Sequence, residues 1–387
     1  MGGQAFANTP TSSGKPPHVP RMLPEVYQRL LAEYTTKLET VFDRVLVPRD
    51  APGKFDYGDI DFLAGGIKAP VVSPGKLWTH IKGVLGAELH LSRGGSHSYA
   101  IAHPETPEAY VQVDVELSPG DGTPDGPELF DWTAFMKGDG DLLQIIGITH
   151  RSLGLTCNDK GLHFRVKDIF QDDKKKALLF LTRDPDRAMD FYGLDTVKYH
   201  QGFASETDMF DWVTGGRFFS ASTFAERTEK SNDRSRQMKR PAYARFVEDY
   251  MPALVDDTRP DEWTSENVLQ EALLAFDKQP EYSAMMEAHE NKKAEEQLWH
   301  EIRTVLPVDG NPLKTAVRGL RRWVMFEKGE PRIATEYIPD DHYTPWVTLI
   351  APGSTEALLD WIKENWKQAK SLEKAHATIS KAAASTR

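Results

Sequence analysis

The order of apolar and polar positions sorts the first third of the chain into elements before any chemistry is considered. Val26, Leu30, Leu31, Tyr34 and Leu38 recur at helical spacing behind Pro24, which predicts a helix. Val41 to Val47 is rich in β-branched residues and reads as a strand, and Asp50-Ala51-Pro52-Gly53-Lys54 is a turn by composition. Gly58-Asp59-Ile60-Asp61-Phe62-Leu63 then alternates polar and apolar, as a strand with one buried face does. A second helix is predicted from Ser73-Pro74 through Leu77, Trp78, Ile81 and Leu85 to Gly86, with Ser as cap and Pro in the first turn. Two strands follow, over 87–103 with a Gly94-Gly95 break and over 110–117. In the second, Val111, Val113, Val115 and Leu117 face one way, and Gln112, Asp114 and Glu116 the other. Residues 118–128 hold three glycines and three prolines and are expected to be loop.

Further along, mixed helices and short strands are expected to about residue 215. The stretch from Arg227 to Arg245 is locally basic, and 265–305, rich in Glu, Ala, Leu and Lys, reads as helical. Residues 313–350 are more aromatic and β-branched, and the chain closes with a helix and a polar tail. Residues 1–20 are rich in Gly, Pro, Ser and Thr and are expected to be a flexible tail. The pattern therefore implies an α+β chain. It comprises a disordered tail over 1–20, an α/β core over 21–215, a mainly helical second domain over 216–380, and a polar tail over 381–387.

Composition changes this picture only at its edges. The net charge of -11 argues against a surface built to coat duplex nucleic acid, while leaving local basic patches open. The single cysteine, Cys157, excludes an intramolecular disulfide and a cysteine-based zinc finger. That usage fits a reducing intracellular compartment, cytoplasmic or nuclear, with Cys157 read as a small buried or half-buried residue. No apolar stretch approaches the ~20 residues needed to span a bilayer, so no membrane partner is expected. The first residues lack the basic-then-apolar pattern of a signal peptide, and Phe6 stands where a myristoylation signal has Ser or Thr.

The informative chemistry is carboxylate. Asp59 and Asp61 are two apart on a strand and so point to the same face, with Ile60 and Phe62 turned to the core. If the strand bearing Asp114 is adjacent, three carboxylates converge, an arrangement that is costly unless a cation neutralises it. Hard divalent cations take oxygen ligands of this kind.

Residues from about 25 to 215, roughly half of the chain, resemble the palm and adjoining thumb of the family X DNA polymerases, within the nucleotidyltransferase superfamily. Gly58 to Leu63 is similar to that family's Gly-Asp-x-Asp strand, and Ser92 to Ala100 to its Gly-containing hairpin. Tyr110 to Leu117 resembles its third acidic strand, placing Asp114 as third carboxylate. Gly154-Leu155-Thr156-Cys157-Asn158-Asp159-Lys160-Gly161-Leu162 and Arg187 to Leu194 resemble two later elements.

The resemblance implies two Mg²⁺ or Mn²⁺ ions bound by Asp59 and Asp61. Asp114 would help to hold the catalytic ion and activate an attacking hydroxyl. It implies a nucleoside triphosphate substrate, with a small molecule, a protein or an RNA or DNA end as acceptor. The sequence departs from the family in the turn before Asp59, where a Gly-Ser pair would hold the triphosphate. Here Pro48 and Pro52 remove backbone donors. Arg49 and Lys54 are the side chains expected to supply charge instead, beside Gly58. No segment before residue 20 resembles the helical lyase or DNA-binding domain of several polymerase relatives, so processive templated synthesis is not expected. Two other readings stand beside the transferase: a catalytically silent descendant serving as a binding or scaffold module, and a phosphodiesterase-like hydrolase using the same metals.

Blander features complete the reading. Glu116 shares a face with Asp114 and reads first as a solvated neighbour, and His97 as a surface histidine that could approach a phosphate. Arg234, Arg236, Lys239 and Arg240 form a basic stretch able to meet phosphates or simply to solvate a helix. Arg318, Arg321 and Arg322 recur at helical spacing and would make an RNA-contacting stripe if all faced outward. Lys174-Lys175-Lys176 precedes the apolar run Ala177 to Leu181 and reads as a gatekeeping charge run.

Overall fold

Apolar residues at alternate positions decide how the first sheet is built. In the computed structural model, β2 (Asp59–Ile67) and β5 (Tyr110–Leu117) lie side by side and parallel, with Ile60 opposite Val113 and Phe62 opposite Val115. All four are buried under α1 (Pro24–Leu38) and α2 (Leu77–Leu85), which add Val26, Leu30, Leu38, Leu77 and Ile81 to one core. Each such side chain contributes about 1.5–3 kcal/mol when buried, so the apolar face must go inward and the carboxylate face outward. The sheet is completed by β1 (Phe42–Leu46), β3 (Leu89–Arg93) and β4 (Ser96–Ala102), in the order β1-β2-β5-β4-β3. The other three pairings are antiparallel, so the sheet is mixed.

The structure describes residues 3–11, 14–68, 74–221, 240–254 and 263–385. Most of the elements expected up to residue 117 are present. The Gly94-Gly95 break is the β3–β4 hairpin, with Gly94 at φ 65, and Gly86 ends α2 at φ 69, a region glycine enters without strain. The expected cap Ser73 lies outside the described residues, and Pro74–Lys76 forms a 3-10 turn before α2.

The expected loop over 118–128 is shorter. Helix α3 (Gly126–Lys137) already begins at Gly126, because Pro127 sits in the first turn, where a missing N–H matters little. After α3 come α4 (Leu142–His150) and an antiparallel sheet of β6 (Leu155–Asn158), β7 (Gly161–Arg165) and β8 (Leu178–Thr182). Helix α5 (Lys167–Phe170) lies between β7 and β8, and α6 (Pro185–Tyr192), α7 (Thr196–Gln201) and α8 (Glu206–Thr214) follow the sheet.

Two domain expectations are corrected. The chain divides into the units Met1–Lys278 and Gln279–Arg387, so the first unit runs past residue 216. The reason is packing: Phe246 meets Phe210 edge-on at 5.1 Å, and Arg240 pairs with Asp141 at 2.9 Å, tying 240–254 to the helices before it. The described part of the 1–20 tail is also seated. Phe6 is fully buried against Ala100, with Leu89, Leu91 and Tyr110 around it, and the Tyr110 amide donates to the His18 carbonyl. One aromatic residue anchors a segment whose average composition reads as disordered.

The second unit is mainly helical. The helices Gln279–Val305, Gly310–Trp323 and Thr355–Ser385 enclose Trp299, Leu320, Trp346 and Ile362, beside a hairpin of Val324–Glu327 and Glu330–Ile333. The last helix continues to Ser385, through most of the expected polar tail.

Arg318 and Arg322 turn to buried Glu373, at 2.6 and 3.1 Å, and Arg321 lies 4.7 Å over the Trp299 ring. A packed helix with an internal acid, rather than an outward RNA-contacting stripe, accounts for their spacing. A Cβ on Gly319 would come within 2.6 Å of the Ala369 carbonyl oxygen, which is backbone and cannot rotate away. Gly319→Ala is therefore expected to destabilise this unit by a net of about 1–2 kcal/mol, overpacking exceeding the gain in helix propensity. Urea unfolding checks this; an unchanged or raised midpoint would refute the close approach.

Candidate metal centre and its cleft

The parallel register of β2 and β5 brings the carboxylates together. Asp61 is directly opposite Asp114, and Asp59, two residues earlier on the same face, is opposite Gln112. One carboxylate oxygen from each of Asp59, Asp61 and Asp114 lies within 4.8 Å of the others.

Asp61 keeps exposed surface yet lies in a cleft ringed by protein. Its pKa is pushed up to about 7, first by limited hydration and then by the charges of Asp59 and Asp114. Lys137 and Lys54 pull the other way without compensating. Three hard oxygen donors gathered on one face of the sheet fit a hard divalent cation such as Mg²⁺ or Mn²⁺.

Two of the three carboxylates also receive neutral donors. The Gln112 side-chain amide, only 3% exposed, donates to Asp114 Oδ2 at 2.9 Å. Its own Oε1 accepts from the Ala5 amide at 2.9 Å, and the Gly3 amide donates to Asp59 Oδ2 at 3.3 Å.

A cleft of about 640 Å³ opens from Asp59 and Asp61, within the range of small-molecule sites. Its walls carry Lys54, Lys137, Arg240 and Arg245. Each is held by an acid: Lys54 by Asp50, Lys137 by Glu116 at 2.8 Å, Arg240 by Asp141 at 2.9 Å, and Arg245 by both oxygens of Glu206. The pairs hold the cations among the residues that line the cleft with Asp59 and Asp61.

The residues expected from the sequence separate here. Asp59, Asp61 and Asp114 come together. Glu116 is taken by Lys137 and stands outside the cluster.

Arg49 borders the cleft, but its guanidinium is committed elsewhere. It makes a two-pronged pair with Asp139, 2.7 Å on each prong, and donates to the Tyr199 carbonyl at 2.6 Å. Arg49, expected to supply phosphate charge, is here paired with a buried acid. Lys54 does line the cleft, and Gly58 is buried, facing Gly3.

His97 is corrected as well. Its neighbour Ser98 is opposite Asp114, so His97 points to the other, helix-covered face, stacked 3.6 Å from Trp78. Burial, and then neighbouring His90, lower its pKa to about 4, so it is neutral at ordinary pH and far from any phosphate role. Cys157 is half-buried, and burial pushes its thiol up to about 11, matching the inert residue expected.

Arg234, Arg236 and Lys239 of the basic stretch lie outside the described residues; Arg240 is on the cleft wall. Sequence reasoning had no means to nominate Lys137, which reaches the cleft only through the fold; Gln112 was on the face of Asp114 and Arg245 at the end of the basic stretch, but neither was singled out. No described helix is long and apolar enough to cross a membrane. No protein-family model matches the chain, and no curated protein matches it either.

Proposed function

We propose that this protein is a metal-dependent nucleotidyltransferase of the polymerase-β-like kind, with a palm formed by the five-stranded sheet. The observation that carries the reading is the convergence of Asp59, Asp61 and Asp114, the first two of which line a cleft that also carries Lys54, Lys137, Arg240 and Arg245. Bound Mg²⁺ or Mn²⁺ would neutralise the three carboxylates and stabilise charge on the transferring phosphoryl group.

The protein's own residues would do the rest. Lys54, Lys137, Arg240 and Arg245 are paired with acids more exposed than Asp139, and would turn from them to meet a triphosphate in a cleft whose volume admits a nucleotide. By the resemblance, Asp114 would orient an acceptor hydroxyl and take its proton. The acceptor oxygen would then bond to the α-phosphorus, and the bond to the departing pyrophosphate would break. The acceptor can be a small molecule, a protein or a nucleic-acid end.

The Pro48–Lys54 turn favours a second reading, a palm retained for binding or scaffolding. Arg49 is spent on Asp139, and neither Pro48 nor Pro52 can donate a backbone N–H to a phosphate.

A thermal-shift series separates the two. Purified protein is heated with ribo- and deoxynucleoside triphosphates, with and without Mg²⁺ or Mn²⁺, beside the Asp59→Asn/Asp61→Asn double variant. The transferase reading expects a metal-dependent stabilisation by at least one triphosphate, about 2.7 kcal/mol at a hundredfold excess over Kd, and its loss in the double variant. No shift under any combination would sink the enzyme and leave the scaffold. Product analysis then distinguishes transfer from hydrolysis of the phosphodiester class, since hydrolysis needs only water as acceptor.

A further inference from the structure

We propose that Gln112 is a positioning residue of the metal centre, held in place by the N-terminal segment Gly3 to Phe6, which acts as a strap across the carboxylate face of the sheet. The inference rests on the metal reading above and names how the protein sets the geometry of that site.

A carboxylate turns easily about its last torsion, which has broad, roughly two-fold wells. A donor fixed to one oxygen therefore decides which way the group faces. Gln112 supplies such a donor to Asp114 Oδ2 at 2.9 Å from a buried position beside it on the same strand face.

The amide is itself oriented. Its Oε1 accepts from the Ala5 N–H at 2.9 Å, so the NH₂ end is the one left to face Asp114. Ala5 belongs to the segment pinned by Phe6, whose side chain is fully buried against Ala100, and Ala100 is the register partner of Gln112 on the adjoining strand.

The same segment reaches Asp59. Gly3 donates its amide to Asp59 Oδ2 at 3.3 Å, adopting φ 83, and a Cβ there would lie 2.6 Å from the Gly58 carbonyl oxygen. Only glycine lets the chain pass at that distance. Donors to two of the three carboxylates thus trace to one short stretch of chain.

The donors are neutral, and that choice is informative. A lysine or arginine at position 112 would orient Asp114 equally well but would also cancel its charge. An amide orients it and leaves the charge for a cation. Groups of this second layer around a metal site typically change metal affinity by about 10–100-fold when removed.

The test measures Mn²⁺ binding directly, by the electron paramagnetic resonance signal of free Mn²⁺, on the full-length chain, with the melting temperature recorded in parallel. The set is wild type, Gln112→Met, Phe6→Ala, the double variant, and His163→Ala, a buried change in the three-stranded sheet that loses stability away from the site.

The expected result is a loss of Mn²⁺ affinity of about 10–100-fold in Gln112→Met. Phe6→Ala should lose affinity in the same direction, and the double variant no more than Gln112→Met alone, since both act through one path. His163→Ala should melt lower yet bind Mn²⁺ like the wild type. If Gln112→Met does not fold, Gln112→Asn replaces it, keeping the amide but withdrawing its reach, with the same loss expected.

Wild-type affinity in the Gln112 variant overturns the positioning role. Unchanged affinity in Phe6→Ala overturns the strap. A wild-type protein that binds no Mn²⁺ removes the metal reading itself, an outcome distinct from either.

Discussion

Replacing Arg49 by alanine is expected to lower the stability of the first unit by about 3 kcal/mol, the lower end of the range for uncovering a buried charge. Asp139 is 1% exposed and Arg49 35%, so the acid depends on its partner far more than the base does. The guanidinium meets both carboxylate oxygens, donates to the Tyr199 carbonyl, and lies 4.5 Å over the Tyr199 ring. Burial already holds the Asp139 carboxyl above the ordinary carboxylate range, with Arg49 pulling it back down. Without Arg49 that carboxyl rises further. A carboxyl raised in the folded state stabilises below its unfolded pKa and loses that contribution as pH climbs through its folded value. The deficit of Arg49→Ala should therefore be larger at neutral pH than at pH 4, and Asp139→Asn in the same background should recover part of it. Urea denaturation at the two pH values measures both. A deficit under about 1 kcal/mol, or one independent of pH, would mean the pair is not a structural clamp and would return Arg49 to the list of phosphate contacts. Lost activity in an Arg49 variant would otherwise report unfolding rather than chemistry.

Arg49 also shows where sequence reading stops. The strands of the first sheet were legible because each buries one face, and Ile60, Phe62, Val111, Val113 and Val115 announce that face at period two. The same period put Asp59, Asp61 and Asp114 on the opposite side, so the metal cluster followed once β2 and β5 were supposed adjacent. Whether they were adjacent could not be read, because two hairpin strands and a helix separate them in the chain. The rest of the cleft is a matter of long-range packing. Lys137 comes from the end of α3, Arg245 is the last residue of the basic stretch, and Asp139 follows a helix with nothing in its local pattern to mark it as the partner of Arg49. A guanidinium next to two prolines looks like a replacement phosphate ligand when only the turn is visible. The N-terminal segment misled for a different reason. Averaged composition describes 1–20 correctly as polar and glycine-rich, but a single well-placed Phe6 is enough to seat part of it.

In metal-free buffer, Asp61→Asn is expected to raise the melting temperature above that of the wild type, and the difference should grow with pH. The Asp61 pKa of about 7 in the folded protein, against 3.8 for the ordinary side chain, sets the window. Below about pH 4 the carboxyl is protonated in both states and the substitution changes little. Between there and pH 7 the unfolded chain releases the proton while the folded protein holds it, so the wild type loses stability as pH rises. Above pH 7 the ionised group sits beside Asp59 and Asp114 with its hydration restricted, and the difference levels off. Asparagine carries no charge to repel and so escapes the trend. Saturating Mn²⁺ or Mg²⁺ should reverse the order, because the wild type then gains by mass action while the variant has lost a ligand. Melting curves of the two proteins across this pH range, with chelator and with metal, decide the matter. Asp61→Asn less stable than wild type in chelator at pH 8 would show that the three carboxylates are not held together against their repulsion. A stabilised variant whose order metal fails to reverse would leave the carboxylates crowded with no cation to account for them. Crowding and reversal together are the signature of a site whose folded geometry is strained until a cation arrives.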